Sequence, residues 1–393
     1  MIKNYKVRLH VLSPIHIGMG DAYDPTQFVF DKDGHMWVFD TNDYLKSLSS
    51  EKSEEFCKLA ANSSNPIPVF GFFRDNFNKD KIKCRQVKAS SDLFQRYEEI
   101  LAIGSLSKDA INQFELKRTI SNPIKNVPYI PGSSIKGCLK TLWMSEINRC
   151  SDFPIVKSPD NARFEKNIEK NITGGAFARD PFRFVKVSDF YPIEKTDNLT
   201  MMMYAVMFPK TNEEKENFQK AEKRNSLTVA LEVIPKGVDF EGIISFNDQC
   251  ELPESAKLKP ISIAGIQQKS KFYYYKHQEN PKDKDSLFIP SKMLNEASWL
   301  NEKGVDISFA KKIIECFKNK QLGFPIRIGH HSSAEFITID NCRSIRITPQ
   351  KVKPPKYSDT STNIWLASSR KKPDSPKNLQ AFGWAMLEFE EMK

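Results

Sequence analysis

The sequence lacks the features of a secreted or membrane-bound protein. No apolar run approaches the length of a membrane span, and residues 1–18 contain neither a long apolar core nor a small-residue cleavage site. The seven cysteines are scattered and form no C-x-x-C pair, which argues against a zinc knuckle and against a disulfide framework. These absences predict a protein of the reducing cytoplasm that has no membrane association.

Signatures of common catalytic classes are also missing. The sequence contains no H-E-x-x-H, G-x-S-x-G or Walker-type phosphate loop, and its six histidines show no metal-ligand spacing. We therefore expect no metal, no cofactor and no zincin, α/β-hydrolase or P-loop activity. A metal-independent ribonuclease needs only a general base near a ribose 2′-hydroxyl and a cation for the phosphate. His16, or the adjacent His330 and His331, together with Lys136 would supply both groups, so this alternative stays open.

Basic residues are in excess. Lysine and arginine number 59 against 49 aspartates and glutamates, which gives a formal net charge of +10 over 393 residues. The excess favours an acidic partner, with nucleic acid ahead of an anionic membrane surface. At about 150 residues per domain, the chain has room for two or three domains.

Alternating and helical patterns together predict an α+β protein. Residues 5–12 alternate polar and apolar side chains, which indicates a half-buried strand. Residues 28–39 form the clearest predicted hairpin, in which two aromatic-rich runs flank the tight-turn pair Asp33-Gly34. Residues 382–389 predict a final strand.

The segment 127–148 combines a predicted helix with a candidate anion site. Two prolines keep its approach extended, and apolar residues then recur at the three-and-four spacing of a buried helical stripe. Residues 132–134, Gly-Ser-Ser, predict a turn with a good N-cap, and Lys136 and Lys140 follow one helical turn apart. Free N–H groups, hydroxyls and ammonium groups at a helix start can bind an anion, although an ordinary capped helix explains the same residues.

Three glycine-bearing loops lie beside predicted elements: SPIHIGMG at 13–20, IPGSSIKG at 130–137 and RIGHHSS at 327–333. RNA binding requires backbone N–H groups and cations for phosphates, and glycine lets a phosphate approach the backbone closely. Three such loops in a basic chain favour RNA binding. The candidate RNA-binding residues are His16, Gly18, Gly132, Ser133, Ser134, Lys136, Lys140, Arg183, Arg327 and His330. Of these, Ser133, Ser134 and Lys136 are expected to bind phosphate.

The order of the segments resembles that of the RAMP superfamily. The chain runs from a strand through SPIHIGMGDAYDPTQFVFD, YIPGSSIKGCLKTLW, DPFRFVKVSDF and LEVIPKGVDFEGIISF to FPIRIGHHSS and a terminal GWAMLEF. Within the superfamily, the PIHIGMGD…Y-x-P segment and the overall length resemble the fifth subunit of the type III-A CRISPR effector (Csm) complex. The loop RIGHHSSAEF has Ser and Ala where the family pattern has glycine.

The resemblance implies two ferredoxin-like (RRM-like) modules with antiparallel sheets and glycine-rich loops. It also implies a non-catalytic subunit that binds CRISPR RNA (crRNA) beside the backbone and small subunits and caps the backbone filament at the crRNA 3′ end. A role in 3′-end maturation, with recruitment of host nucleases, belongs to the same expectation. Two alternatives remain, a metal-independent CRISPR RNA endonuclease of the same superfamily and a protein-only assembly scaffold.

The highly charged segment 210–223 predicts the boundary between the two modules. An N-terminal RRM-like domain is expected at residues 1–215, with a helical insertion at about 50–125. A C-terminal RRM-like domain is expected at residues 216–393, with a helical insertion at about 285–320.

Overall fold

A computed structural model gives the structure of most of the chain. It describes residues 2–61, 65–103, 115–124, 127–149, 170, 173, 177–194, 198–210, 228–247, 275–276, 289–318, 323–339, 342–347 and 356–393. The predicted boundary at 215/216 lies outside these residues.

The helices begin and end as follows: α1 (Thr41–Ser47), α2 (Ser50–Ala61), α3 (Ile67–Asp75), α4 (Ser91–Ala102), α5 (Gly132–Arg149), α6 (Ser291–Glu302), α7 (Ser308–Lys318) and α8 (Ala334–Ile337). The side chains of Asp40 and Ser90 accept backbone hydrogen bonds from the first turns of α1 and α4, which satisfies N–H groups that lack a helical partner. Within the described residues, every helix is too short or too polar to cross a bilayer.

The strands are β1 (Ile2–Val11), β2 (Gly18–Tyr23), β3 (Phe28–Phe30), β4 (His35–Phe39), β5 (Cys84–Lys88), β6 (Leu116–Thr119), β7 (Ser121–Asn122), β8 (Val127–Pro128), β9 (Val185–Val187), β10 (Tyr191–Pro192), β11 (Met201–Pro209), β12 (Thr228–Val233), β13 (Asp239–Asn247), β14 (Tyr275–Lys276), β15 (Ile289–Pro290), β16 (Gly323–Arg327), β17 (Ile345–Ile347), β18 (Lys356–Ser358), β19 (Asn363–Ser368), β20 (Leu379–Ala381) and β21 (Trp384–Glu391).

Strand β1 lies at the centre of a six-stranded sheet. It pairs antiparallel with β13 on one side and with β21 on the other, while β16 extends the sheet beyond β21 and β9 and β10 pair with β13. Because side chains alternate across a strand, Val7 and Leu9 are buried on one face, whereas Lys6 and Arg8 are exposed on the other.

The exposed side of this sheet carries charged residues of both signs. We call it the open face, and it comprises Lys6, Arg8, His10, Asp239, Glu241 and Glu388.

Helix α5 packs on the buried face of the six-stranded sheet. It contacts β9 and β16, and its residues Ile135 and Leu139 belong to the same hydrophobic cluster as Val7. On the opposite face, the ring of Phe309 in α7 stacks on Trp384 of β21 with ring centroids 5.3 Å apart. Helix α7 therefore covers this side of the sheet at β21. The part around β1 and β13, the open face, stays exposed.

A nine-stranded sheet forms the second layer. Its order is β2-β6-β12-β11-β5-β4-β3, and β19 pairs with both β11 and β20. Most of the pairing is antiparallel, but β5 with β11 and β6 with β12 pair in parallel. The predicted α+β content and antiparallel sheets are confirmed, whereas the assignment of two ferredoxin-like modules stays a prediction.

The predicted hairpin at 28–39 is confirmed as β3 and β4. Its turn differs from the expected tight two-residue turn, because three residues, 32–34, separate Asp31 from its partner His35. The Asp31 carboxylate accepts the backbone N–H groups of Asp33 and His35, and this contact stabilises the longer turn.

The two sheets do not follow the predicted division of the chain. The six-stranded sheet joins β1 to β13, β16 and β21, and the nine-stranded sheet joins β11 to β12 and β19, so each contains strands from both sides of 215/216. The segment 50–125 is also not only helical, since it supplies β5 and β6 to the larger sheet.

Candidate functional site

The three glycine-bearing loops meet at one cleft with a volume of about 770 Å³. His16 and Gly18 enter from the β1–β2 connection, Ser133 and Ser134 from the start of α5, and residues 327–331 from the turn after β16. These segments are more than 100 residues apart in the chain, so their meeting depends on the fold. Six of the ten predicted residues line the cleft: His16, Gly18, Ser133, Ser134, Arg327 and His330.

One face of α5 forms a wall of the cleft with small side chains. Ser134, Gly137, Cys138 and Thr141 recur at helical spacing along it. A Cβ atom at Gly137 would meet nothing within 4 Å. The wall therefore leaves room for a ligand to approach the helix closely.

The very start of α5 is occupied by the protein itself. The backbone N–H of Gly132 donates to the Asp189 carboxylate at 2.9 Å. A Cβ at Gly132 would overlap the carbonyl oxygens of Val187 and Ser188, so glycine is required for the helix to pack against β9. Gly132 does not line the cleft, and the prediction that its N–H is free for an anion is wrong.

Lys136 and Lys140 also lie outside the cleft. The Lys136 ammonium donates to the carbonyl of Val185 at 2.8 Å, and burial lowers the pKa of this lysine. Lys140 forms an ion pair with Asp180 at 2.8 Å. Residues two apart on a helix point about 160° away from each other, so lysines at 136 and 140 face away from Ser134 and Cys138 respectively. The predicted phosphate contact at Lys136 is therefore not supported.

The two predicted arginines are committed to internal contacts. Arg183 donates to the carbonyl of Ala178 at 3.1 Å and lies over the ring of Phe184, away from the cleft. Arg327 lines the cleft, but its guanidinium is buried and pairs with Glu296 at 2.5 Å. Both residues therefore have structural roles that the sequence does not reveal.

Three histidine rings gather at the cleft. His16 Nδ1 donates to the carbonyl of Glu232 at 2.7 Å, and burial lowers the pKa of His16. The centroid of the exposed His330 ring lies 6.3 Å from that of His16 and 4.1 Å from that of His331. Burial also lowers the pKa of His331 to about 3. His16 and His331 are consequently neutral at physiological pH, and both can act as hydrogen-bonding groups.

The turn at 329–333 has a strained backbone. Gly329 has φ +87°, and a Cβ there would lie 2.5 Å from the His16 carbonyl oxygen, to which the His330 N–H donates at 2.7 Å. His331 and Ser333 also have positive φ, 65° and 66°, a region that side chains disfavour. Left-handed backbone therefore occurs in the loop where the family pattern expects glycine.

A buried ionic network supports the cleft from below. The Glu232 carboxylate pairs with Arg85 at 2.5 Å and accepts hydrogen bonds from the Tyr23 hydroxyl at 2.7 Å and the Thr119 N–H at 3.2 Å. Glu232 is fully buried, and although burial opposes its charge, Arg85 and hydrogen bonds with Thr200 and Tyr23 hold its pKa below the usual value. Because Glu232 also provides the carbonyl that orients His16, the network fixes one wall of the cleft.

Two cations of the cleft were missed from the sequence. Lys117 and Arg118, in β6, line it, and the Arg118 guanidinium lies 4.9 Å from the ring centroid of Tyr23. Lys117 also pairs with Glu115, outside the cleft lining. Among the described residues, Asp21 is the one carboxylate that lines the cleft. The adjacent lysine and arginine are visible in the sequence as a basic pair. The long-range strand pairing that brings β6 to the cleft is not visible there.

The geometry does not assemble the proposed ribonuclease group. That hypothesis needs His16 or His330 beside Lys136, and Lys136 is held on the other side of α5. Within the described part of the chain, no group of three His, Cys, Asp or Glu side chains has the geometry to hold a metal ion.

Comparisons with known proteins agree with this architecture. The chain is 28% identical over 199 residues to the protein named CRISPR system Cms protein Csm5 of Streptococcus thermophilus, and 23% identical over 199 residues to the protein of the same name from Methanocaldococcus jannaschii. The alignments cover 49% and 48% of this chain but 53% and 43% of those proteins, so the chain spans about half the length of the curated relatives it matches.

A solved structure shares the fold over nearly the full length. One chain of the cryo-EM structure of a Csm–crRNA–target RNA ternary complex of a type III-A CRISPR-Cas system superposes with a TM-score of 0.51 at 14% identity. The match covers 98% of this chain and 100% of that one. The model of the RAMP superfamily matches residues 8–261, and the chain therefore belongs to the RAMP superfamily.

Proposed function

We propose that the chain is a crRNA-binding structural subunit of a type III-A CRISPR complex and that the cleft holds the RNA. The observation that carries this proposal is the convergence of three glycine-bearing loops on one cleft that Lys117 and Arg118 line with positive charge. The relatives named Csm5 and the fold shared with a chain of a crRNA-containing complex give the proposal its biological setting.

The cleft suits the backbone of a single RNA strand. Lys117 and Arg118 offer cations for phosphates, and the small side chains of α5 let the strand lie close to the helix. Exposed His330 adds a flat ring beside which an unstacked base can lie. The role in this proposal is structural, as the resemblance to the fifth Csm subunit implies.

The finer part of the proposal concerns position in the complex. The subunit caps the filament of backbone subunits at the crRNA 3′ end, contacts backbone and small subunits, and is needed for 3′-end maturation. Recruitment of host nucleases to that end belongs to the same proposal. The resemblance of the N-terminal segment to that of the fifth Csm subunit supports it.

A charge-matched pair of variants tests the RNA-binding role. K117Q/R118Q removes two positive charges from the cleft, and K6Q/R8Q removes the same charges from the open face. With a single strand, loss of two phosphate contacts should lower the slope of log K against log salt by about 1.4. We expect this change in crRNA binding by the full chain for K117Q/R118Q alone.

The same variants test the finer proposal in the assembled complex. Sequencing the crRNA 3′ ends of complexes that carry K117Q/R118Q should show unmatured or heterogeneous ends, while K6Q/R8Q leaves them as in wild type. Unchanged salt dependence together with normal assembly would favour the protein-only scaffold. A discrete cut of repeat RNA in EDTA that H16A or H330A abolishes would favour the endonuclease.

A further inference from the structure

A second groove, of about 610 Å³, lies on the other side of the 329–333 turn. Its far wall comes from β17 and β19 and includes Arg346, Asn363 and Trp365. Four residues line both the cleft and this groove: Gly329, His330, His331 and Ile337. The two depressions are therefore continuous across the turn, and His330 lies at the junction.

The chemistry of the second groove suits an anion more clearly than that of the cleft. No aspartate or glutamate is among its lining residues in the described part of the chain. Arg346 is exposed on the middle of β17, opposite Tyr357 of β18, and it makes no ion pair with the described residues. Serine, threonine and asparagine side chains supply further hydrogen-bonding groups along the groove.

Aromatic surface is present at the same place. Trp365 is half-buried, and its ring centroid lies 4.8 Å from that of His331. The neighbouring Ile337 is 64% exposed at the junction, an unusual position for a large apolar side chain. An exposed cation, a half-buried aromatic ring and an exposed apolar residue together fit a strand with both phosphates and bases.

We propose that the second groove is a further subsite for the same RNA strand, which passes over His330 from the cleft and places a phosphate at Arg346. The inference rests on the proposed function, since the strand reaches the groove from the cleft. It adds that the binding track is longer than the cleft and that Arg346 belongs to it.

A length series of oligouridylates tests this track with the full chain. Affinity for wild type should rise with length until both depressions are filled. R346Q should remove the gain seen with the longer oligonucleotides, by about fivefold to tenfold, and leave the shortest ones unaffected. R346K should keep most of the gain, because a phosphate contact needs the charge. R8Q, which removes an exposed arginine from the open face, should behave as wild type.

The outcomes separate this inference from the proposed function. If K117Q/R118Q weakens binding at every length but R346Q changes nothing, RNA occupies the cleft alone and the second subsite is wrong. If R346Q weakens the shortest oligonucleotides equally, the groove is not a separate subsite and the inference also fails. If R346Q leaves RNA binding intact but prevents assembly of the complex, the groove binds a protein subunit. If no variant alters RNA binding, the proposed function itself fails.

Discussion

The open face and the cleft both present basic side chains, but their surroundings differ. On the open face, Lys6 pairs with Glu241 at 2.9 Å, and Arg8 lies directly between Glu241 and Glu388 on the neighbouring strands. In the cleft, Lys117 and Arg118 share the lining with one carboxylate, that of Asp21. The basic side chains of the open face therefore have acidic neighbours on the sheet itself, whereas in the cleft Lys117 pairs with Glu115 outside the lining and Arg118 lies over the ring of Tyr23.

The difference shows which surface of this fold is available to an anion. RRM domains stack bases on aromatic side chains of the sheet face. Here β1 and β13 place no Phe, Tyr or Trp on the open face. Both ring nitrogens of His10 contact carboxylates, Asp239 at 3.0 Å and Glu388 at 3.1 Å. The polar groups of this face therefore contact one another. The cleft, in contrast, is bordered by the buried Glu232–Arg85 pair and by the strained turn at 329–333.

The largest expected difference between the two regions concerns their ion pairs. E232Q would leave Arg85 buried without its counter-charge, and we expect the free energy of unfolding to fall by about 3–5 kcal/mol. The matched change on the open face, E241Q, should lower it by at most about 1 kcal/mol, because its pair with Lys6 is exposed to solvent. Denaturant unfolding measures both. Equal losses in the two variants would contradict the contrast in burial.

The turn that joins the cleft loops should tolerate little change. G329A adds a methyl group against the His16 carbonyl and forces alanine into positive φ, so we expect a loss of about 2–5 kcal/mol. G20A is the control, since Gly20 has the same φ of +87° but nothing within 4 Å of its Cβ position. G20A should cost about 1–2 kcal/mol. Thermal unfolding of the two variants separates close contact from backbone strain, and a G20A loss as large as that of G329A would argue against the contact.

The histidines predict an acid sensitivity that originates at the cleft. Burial lowers the pKa of His331 to about 3 from 6.5, so the unfolded chain takes up the proton first as pH falls. The contribution of His331 to the free energy of unfolding is fully present above pH 6.5 and is lost as pH falls from 6.5 to about 3. The loss is at most about 1.4 kcal/mol per pH unit. H331N should flatten this part of the stability curve because it removes the titrating ring, and asparagine tolerates the positive φ at this position. Denaturant unfolding at a series of pH values measures the slope, and an unchanged slope in H331N would contradict this origin.

The smallest expected effect is that of a serine-to-glycine change on the free energy of unfolding. We expect opposite signs at the cleft turn and in the sheet of the open face. Ser333 has φ 66° and ψ 138°, so S333G should relieve strain and raise the free energy of unfolding by about 1 kcal/mol. Ser245 lies in the ordinary extended backbone of β13, and S245G should lower it by about 0.5–1 kcal/mol. Denaturant unfolding of both variants checks the signs. If S333G destabilises the protein, the Ser333 side chain stabilises it by more than the strained backbone costs.

Local patterns predicted local structure well. The strand at 5–12, the hairpin at 28–39 and the helix within 127–148 are present as β1, the β3–β4 pair and α5. The three loops proposed for RNA binding converge on one cleft, and this convergence comes from the fold because local patterns do not bring distant segments together. RNA binding by them stays a prediction.

The partners of particular side chains were beyond local patterns. Lys136, Lys140 and Gly132 were expected to face an anion, but Val185, Asp180 and Asp189, from the segment after α5, take those contacts. Each pairing joins residues about 40 to 60 positions apart, and nothing in the spacing of the helix announces it. The same reason hid Lys117 and Arg118, whose place depends on β6 pairing in parallel with β12.

The central place of β1 has a consequence for how the chain is made. Leu9 pairs with Phe240 and with Leu387, so β1 must wait for most of the chain before its sheet is complete. At a synthesis rate of about 5–20 residues per second, that wait lasts about 20–75 s. Until β13 is made, β1 has two unpaired edges, and until β21 is made it keeps one, and such edges can join other nascent chains. Lys6 and Arg8, on its exposed face, oppose such edge-to-edge pairing by repulsion before any fold exists to protect the strand.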